Sequence, residues 1–124
     1  MATIIDLKTF TDERGNLTVI EKVLPFEIKR IFYIYGVDYP VRGQHRHKKT
    51  IQAAICIKGS CNFFWDNNIN NSKIVLNKPS TCLLLQPEDF HTITNFSKDA
   101  ILMVLASEYY NEADYIYEPY AKNS

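Results

Sequence analysis

An all-β domain, built as an antiparallel sandwich or barrel, is the fold class that this 124-residue sequence predicts. Three observations lead there. Eight or more short segments rich in Ile, Val, Tyr, Phe and Thr follow one another, each bounded by Gly, Pro, Asn or Asp. No segment before residue 107 carries a helical period. The connections are too short for crossover helices, so neighbouring strands pair antiparallel.

In chain order, residues 16–22 (NLTVIEK), 28–35 (IKRIFYIY), 51–58 (IQAAICIK), 61–66 (CNFFWD), 72–76 (SKIVL), 81–86 (TCLLLQ), 91–96 and 101–106 read as strands. KGS at 58–60 is a tight hairpin connection, DNNINN at 66–71 a longer polar turn, and QPED at 86–89 a turn opening at a proline. The tail, SEYYNEADYIYEPY, mixes acids with five tyrosines. It is expected to form short helical or irregular structure on the sheet exterior or on a partner chain. The whole of 1–124 is read as one domain.

Charge and composition narrow the function. Fourteen Lys and Arg balance fourteen Asp and Glu, so no global field draws the chain to nucleic acid or an anionic membrane. The longest apolar run, residues 100–106, is far short of the ~20 residues of a membrane span. The opening MATIIDLKTF has no basic region followed by a long apolar core, so no signal peptide is expected. Cys56, Cys61 and Cys82 lie in apolar segments without CxxC spacing and read as buried thiols in a reducing compartment. A cytoplasmic protein is expected.

The chemistry concentrates in RGQHRHKK, residues 42–49. Residues two apart on a strand share a face, so His45 and His47 project together while Gln44 and Arg46 project the other way. Alone, such a pair is as readily an exposed polar strand edge as a site. Downstream, however, stand Gln52, Gly59 and a third histidine, His91, between Pro87 and Asn95.

This layout resembles the cupin family. Its first motif runs glycine, HxH, glutamate, glycine, and its second runs PxG, histidine, asparagine. Here Gly43 lies closer to the histidines than the pattern asks, and Asp89 stands where a glycine is expected, with one residue fewer before His91. The resemblance implies a cupin double-stranded β-helix, a jelly-roll barrel with a short C-terminal tail, in which His45, His47, Gln52 and His91 line one cavity. Gln52 replaces the one anionic ligand of metal-binding cupins. Two readings stay open: a His₃ metal site, or free imidazoles that accept and return protons near neutral pH.

A closer resemblance covers residues from about 5 to 117. DERGNLTVIE, PFEIKRIFYIY, RGQHRHKK, IKGSCNFFWD, FHTITNFS and MVLASEYYNEADYI are similar to the WxcM-like/FdtA sugar 3,4-ketoisomerases. That family is metal-independent and needs no cofactor. It interconverts a dTDP-linked 4-keto-6-deoxyhexose and its 3-keto isomer through an enediol, ahead of an aminotransferase that makes 3-amino-3,6-dideoxyhexoses for O-antigens and other surface glycans. Its members are homodimers that exchange N-terminal strands.

The resemblance implies these roles: His47 as the base for the carbon proton, His45 as its partner at the hydroxyl oxygens, and Tyr33 as donor to the keto oxygen. Tyr33 reads equally well as a barrel-wall aromatic. Arg42 is expected to hold the diphosphate, with Lys48 second, while Arg14 and His91 flank the sugar beside Gln52. Arg14 and His91 resemble the branch that forms a galacto-configured 3-ketosugar. Glu13, Gln44 and Arg46 read as surface residues. The competing readings are a metal-dependent cupin with His45, His47, Gln52 and His91 as ligands, a 3,5-epimerase of related sugars, and a non-catalytic sugar-binding module.

Overall fold

The computed structural model describes residues 1–121. Among these residues twelve strands form, all paired antiparallel: β1 (Thr3–Asp6), β2 (Thr9–Asp12), β3 (Gly15–Thr18), β4 (Arg30–Tyr35), β5 (Val41–His47), β6 (Gln52–Lys58), β7 (Cys61–Asp66), β8 (Asn71–Leu76), β9 (Thr81–Leu85), β10 (Phe90–Thr94), β11 (Ile101–Ala106) and β12 (Tyr115–Ile116). One sheet runs β1-β9-β6-β11-β4, the facing sheet β12-β5-β10-β7-β8, and β2-β3 forms a separate hairpin. This is the expected jelly roll.

The two sheets bury different faces, and the sequence pattern follows from that. In β6, Ala54 and Cys56 face the barrel interior with Leu102, Val104, Leu83 and Phe63. Ala53 and Ile55 face outward, yet they are also buried, against Leu105, Leu84 and Cys82 and under Ile20, Leu24 and Phe26. Because the loop 19–29 covers its outer face, the strand reads as a continuous apolar run rather than an alternation. On the second sheet, inward Phe63 and Trp65 alternate with Phe64, which is exposed.

Most expected strands form within one or two residues of their boundaries. The N-terminal region differs: 16–22 contracts to β3, paired with β2, and residues 19–22 leave the strand to become part of the covering loop. Two further corrections concern the tail and β5. The tail lies only in part on the barrel exterior: the short helical turn expected there forms at Glu112–Asp114 and returns the chain so that β12 extends the second sheet beside β5, with Tyr115 opposite His47, while Tyr120 packs outside against Arg46. In β5 the alternation is broken. The β10 ladder runs His91 to His45, then Thr92 to Gly43, skipping Gln44, and continues with Ile93 opposite Arg42. Gly43 and Gln44 both have positive φ, 80° and 61°.

The glycine of the β6–β7 hairpin shows how tightly the frame is packed. Gly59 has φ +71°, and a Cβ there would lie 2.2 Å from the Ser97 hydroxyl and 2.9 Å from the Ala100 backbone. Ser97 is occupied in bridging Ser60 N–H and Asp99. Gly59→Ala therefore combines a left-handed backbone with a clash against main chain. It is expected to lower unfolding free energy by about 1–3 kcal/mol in urea denaturation.

Candidate active site

Three imidazoles meet inside the barrel because of the β5 and β10 registers. His45 and His47 are two residues apart on β5, and His91 stands directly across from His45 on β10. His45 meets His91 and His47 edge to face, with ring centroids 4.6 and 5.0 Å apart. His47 and His91 are buried; His45 is half-buried and lines a cavity of about 440 Å³. Its other walls include Arg30, Arg42, Gln52, His91, Tyr115 and Tyr117. A hollow of about 490 Å³ on the outside of the second sheet, bordered by Phe64, Lys73 and Phe90, contains no imidazole.

Each histidine donates through the same ring nitrogen. Nδ1 of His45 lies 3.1 Å from the Gly43 carbonyl, and Nδ1 of His91 lies 3.1 Å from the Asp89 carbonyl. A carbonyl only accepts, so Nδ1 carries the hydrogen in both. Nδ1 of His47 donates to Asp114 Oδ2 at 2.9 Å. In the neutral rings, every Nε2 is left as the acceptor. That of His47 is buried with no hydrogen-bond partner.

Burial also keeps these rings neutral. Loss of hydration lowers His45 to about 4, against the Gly43 hydrogen bond, with His47 lowering it further. It lowers His91 to about 3, aided by His45. For His47 burial again dominates; the hydrogen bond and charge of Asp114 oppose it, and the Arg30 charge reinforces it.

Asp114 is held by more than His47. Thr50 Oγ1 donates to Oδ2 at 2.5 Å, and Lys49 N–H donates to Oδ1 at 2.8 Å. Burial works to raise its carboxyl pKa, but the hydrogen bonds from Thr50, His47 and Lys49 hold it below the usual carboxylate range. Asn111 caps the turn that delivers it, accepting from Ala113 N–H.

Of the residues expected from sequence, the cavity brings together His45, Gln52, His91 and Arg42, with His47 against them. Arg42 arrives through the bulge: an unbroken strand would point it away from His45, but skipping Gln44 sets it opposite inward-facing Ile93. Three expectations are not met within the chain. Tyr33 borders the cavity with its strand, yet the residue is 63% exposed and its ring stacks on Tyr35 on the outer face, while Phe32 and Ile34 point inward. Lys48 is exposed and outside the lining, its N–H bound to the Asp114 carbonyl. Arg14 sits in the β2–β3 turn, paired with Asp12 at 2.8 Å and outside the cavity lining.

Sequence reasoning missed Arg30, Asp114, Tyr115 and Tyr117. The alternation of RIFYIY, with Phe32 and Ile34 inside, could have placed Arg30 inward as well. Nothing local ties Asp114 to His47, 67 residues away. Among the described residues, no group of three His, Cys, Asp or Glu side chains converges as a metal ligand set.

The family model and the relatives at about 40% identity point the same way. A family model, described as FdtA: WxcM-like, C-terminal, matches residues 1–123. A curated TDP-4-oxo-6-deoxy-alpha-D-glucose-3,4-oxoisomerase of Aneurinibacillus thermoaerophilus is 42% identical, over 91% of this chain and 84% of its own. The crystal structure of QdtA, a sugar 3,4-ketoisomerase of Thermoanaerobacterium thermosaccharolyticum in complex with TDP, is 41% identical. It matches with a TM-score of 0.90 over 94% of this chain and 88% of that one. A dTDP-4-dehydrorhamnose 3,5-epimerase of Bacillus anthracis, 17% identical, covers 92% of this chain and 76% of that one at a TM-score of 0.78, and shares the fold alone.

The lowered histidine values make a checkable expectation. In an NMR pH titration, His45 should titrate at about 4 and His91 at about 3, with His47 also below the ordinary ~6.5. Because the folded values lie below the unfolded one, the unfolded chain takes up more protons in that window. Their contribution to stability is therefore full above pH ~6.5 and declines as pH falls toward about 3. A histidine titrating near ~6.5 in the folded protein would contradict the burial argument.

Proposed function

The chain belongs to the FdtA family of WxcM-like proteins, and from that membership we propose that it is an isomerase, a TDP-4-keto-6-deoxyglucose 3,4-ketoisomerase. The observation that carries this reading is the cluster of three neutral imidazoles, His45 and His91 in the cavity wall and His47 packed against them, each with Nε2 left as acceptor. Removing a proton α to a carbonyl requires an unprotonated base held at the carbon, and the same base can return the proton one atom away. A TDP-linked substrate is supported by the curated relative, named for a TDP-4-oxo sugar, and by TDP in the QdtA complex.

In this mechanism His47 Nε2 takes the proton from C3. The C–H electron pair forms the C3=C4 bond, and the carbonyl pair moves onto O4. His45 Nε2 accepts the proton of O3 and passes it to O4. The C3=O bond forms as His47 returns its proton to C4, so no net proton is gained or lost. With Tyr33 turned outward, Arg30 is the cavity cation suited to offset charge developing on O4. Arg42 suits the diphosphate, where a guanidinium can donate two parallel hydrogen bonds.

The galacto-configured product remains part of the proposal, with His91 beside the sugar. For Arg14 it requires a second subunit. The β2–β3 hairpin joins neither sheet and exposes Phe10 and Leu17, whereas β1 pairs with β9 of its own chain. A homodimer in which the hairpin reaches the partner's cavity would bring Arg14 to the substrate. The 3-keto product would then pass to an aminotransferase.

The test is ¹H NMR of dTDP-4-keto-6-deoxyglucose in D₂O with EDTA-treated protein. The C3 proton signal should disappear and a 3-ketosugar form. His47→Asn should reduce turnover by ~10²–10⁴-fold, and aminotransferase trapping should yield a galacto product. Turnover only after metal is restored would support the metal-dependent reading, and binding without turnover a sugar-binding module. Arg14→Ala is expected to raise KM or alter C4 configuration while leaving the dimer intact in sedimentation.

A further inference from the structure

The C-terminal turn brings to the site a carboxylate that lies 64 to 67 residues from the groups it binds. We propose that Asp114 is a positioning residue: it fixes His47 as the Nδ1–H tautomer and stabilises the imidazolium formed when Nε2 takes a proton. This inference rests on the ketoisomerase reading and assigns that reaction a part outside the histidine motif.

Geometry carries the argument. Oδ2 of Asp114 accepts from His47 Nδ1 at 2.9 Å and from Thr50 Oγ1 at 2.5 Å, while Oδ1 accepts from Lys49 N–H. With both oxygens held, the carboxylate cannot rotate away from the ring. The two side chains are only 4% and 11% exposed, so water competes little for the hydrogen bond. The sequence builds this arrangement in one short stretch: Asn111 caps the turn, Asp114 ends it, and Tyr115 pairs with His47 on β12. Tyr115 packs at 4.6 Å from the His47 ring and 4.7 Å from His45, which limits rotation of both.

The charges around His47 explain why an anion is needed there. Arg30 on β4 opposes protonation, and burial beside His45, His91 and Tyr115 provides no other negative group. Among the described residues, Asp114 is the only carboxylate hydrogen-bonded to any of the three imidazoles. An imidazole that must become cationic during turnover, in a buried site facing an arginine, needs that counter-charge.

The experiment uses the full chain and its Asp114→Asn and Asp114→Glu variants, with ¹⁵N-histidine NMR beside steady-state kinetics. In the wild type, His47 Nε2 should be unprotonated and Nδ1 protonated. In Asp114→Asn, the amide can donate to Nδ1 and so invert the tautomer. Its kcat should fall ~10²–10⁴-fold with KM within a few-fold, and Asp114→Glu should restore part of kcat. An unchanged tautomer in Asp114→Asn, or an inverted tautomer with unchanged kcat, would overturn the proposal. If the wild type fails to turn over the sugar, the ketoisomerase reading falls, and the tautomer measurement still decides the placement. Should the amide variant misfold, Thr50→Val tests the same carboxylate by loosening its anchor. A smaller fall in kcat is expected there, and no fall would overturn the proposal.

Discussion

Inside the barrel, β5 and β10 are laddered so that His91 lies directly across from His45, and one residue of β5, Gln44, is skipped. That irregular pairing governs most of what the molecule can do. It places a third imidazole against the HxH pair and turns Arg42 toward the cavity. It also makes Gly43 necessary, since a Cβ there would stand 3.0 Å from the His91 carbonyl oxygen. A regular ladder would satisfy the backbone equally well, but with Arg42 on the opposite face. The conformational demand of the bulge is met by positive φ at two consecutive residues, and its result is chemical.

Burial in that frame sets the electrostatics. A charged imidazole loses its hydration inside the barrel, and no ring is given enough compensation to stay protonated at neutral pH. The backbone carbonyls of Gly43 and Asp89 orient two rings without adding net charge. Among the described residues, only His47 of the three is paired with an anion. The three histidines are therefore chemically unequal, although their rings are neighbours and share a tautomer. The ring bonded to a carboxylate has a counter-charge for a bound proton, and the other two do not.

The frame around them is asymmetric for a related reason. The central strands β6, β9 and β11 of the first sheet are buried on both faces, inside by the barrel core and outside by Ile20, Leu24 and Phe26, whereas β4 at its edge exposes Ile31, Tyr33 and Tyr35. The sheet carrying the histidines has solvent on its outer side. The first sheet thus backs the site with Gln52, Ala54 and Val104, while the edge that adds β12 brings Tyr115 and Tyr117 to the cavity and Asp114 to His47 behind it. A tyrosine-rich tail expected on the sheet exterior or on a partner chain instead gives two of its tyrosines, Tyr115 and Tyr117, to the wall of the site.

By itself the sequence determined the fold class, the turns, the shared face of His45 and His47, and the family, because each rests on local spacing. Strand alternation, a glycine at a left-handed turn and an HxH pair are all written within a few residues. Tertiary structure alone decided which other groups reach those histidines. Arg42 turned inward through a bulge that alternation does not predict, and Tyr33 turned outward because Phe32 and Ile34 occupy the core face. Asp114 reached His47 across 67 residues, and Arg14 was left outside the chain's own cavity. Such contacts depend on strand register and chain return, and the side chains involved carry no local signal of either.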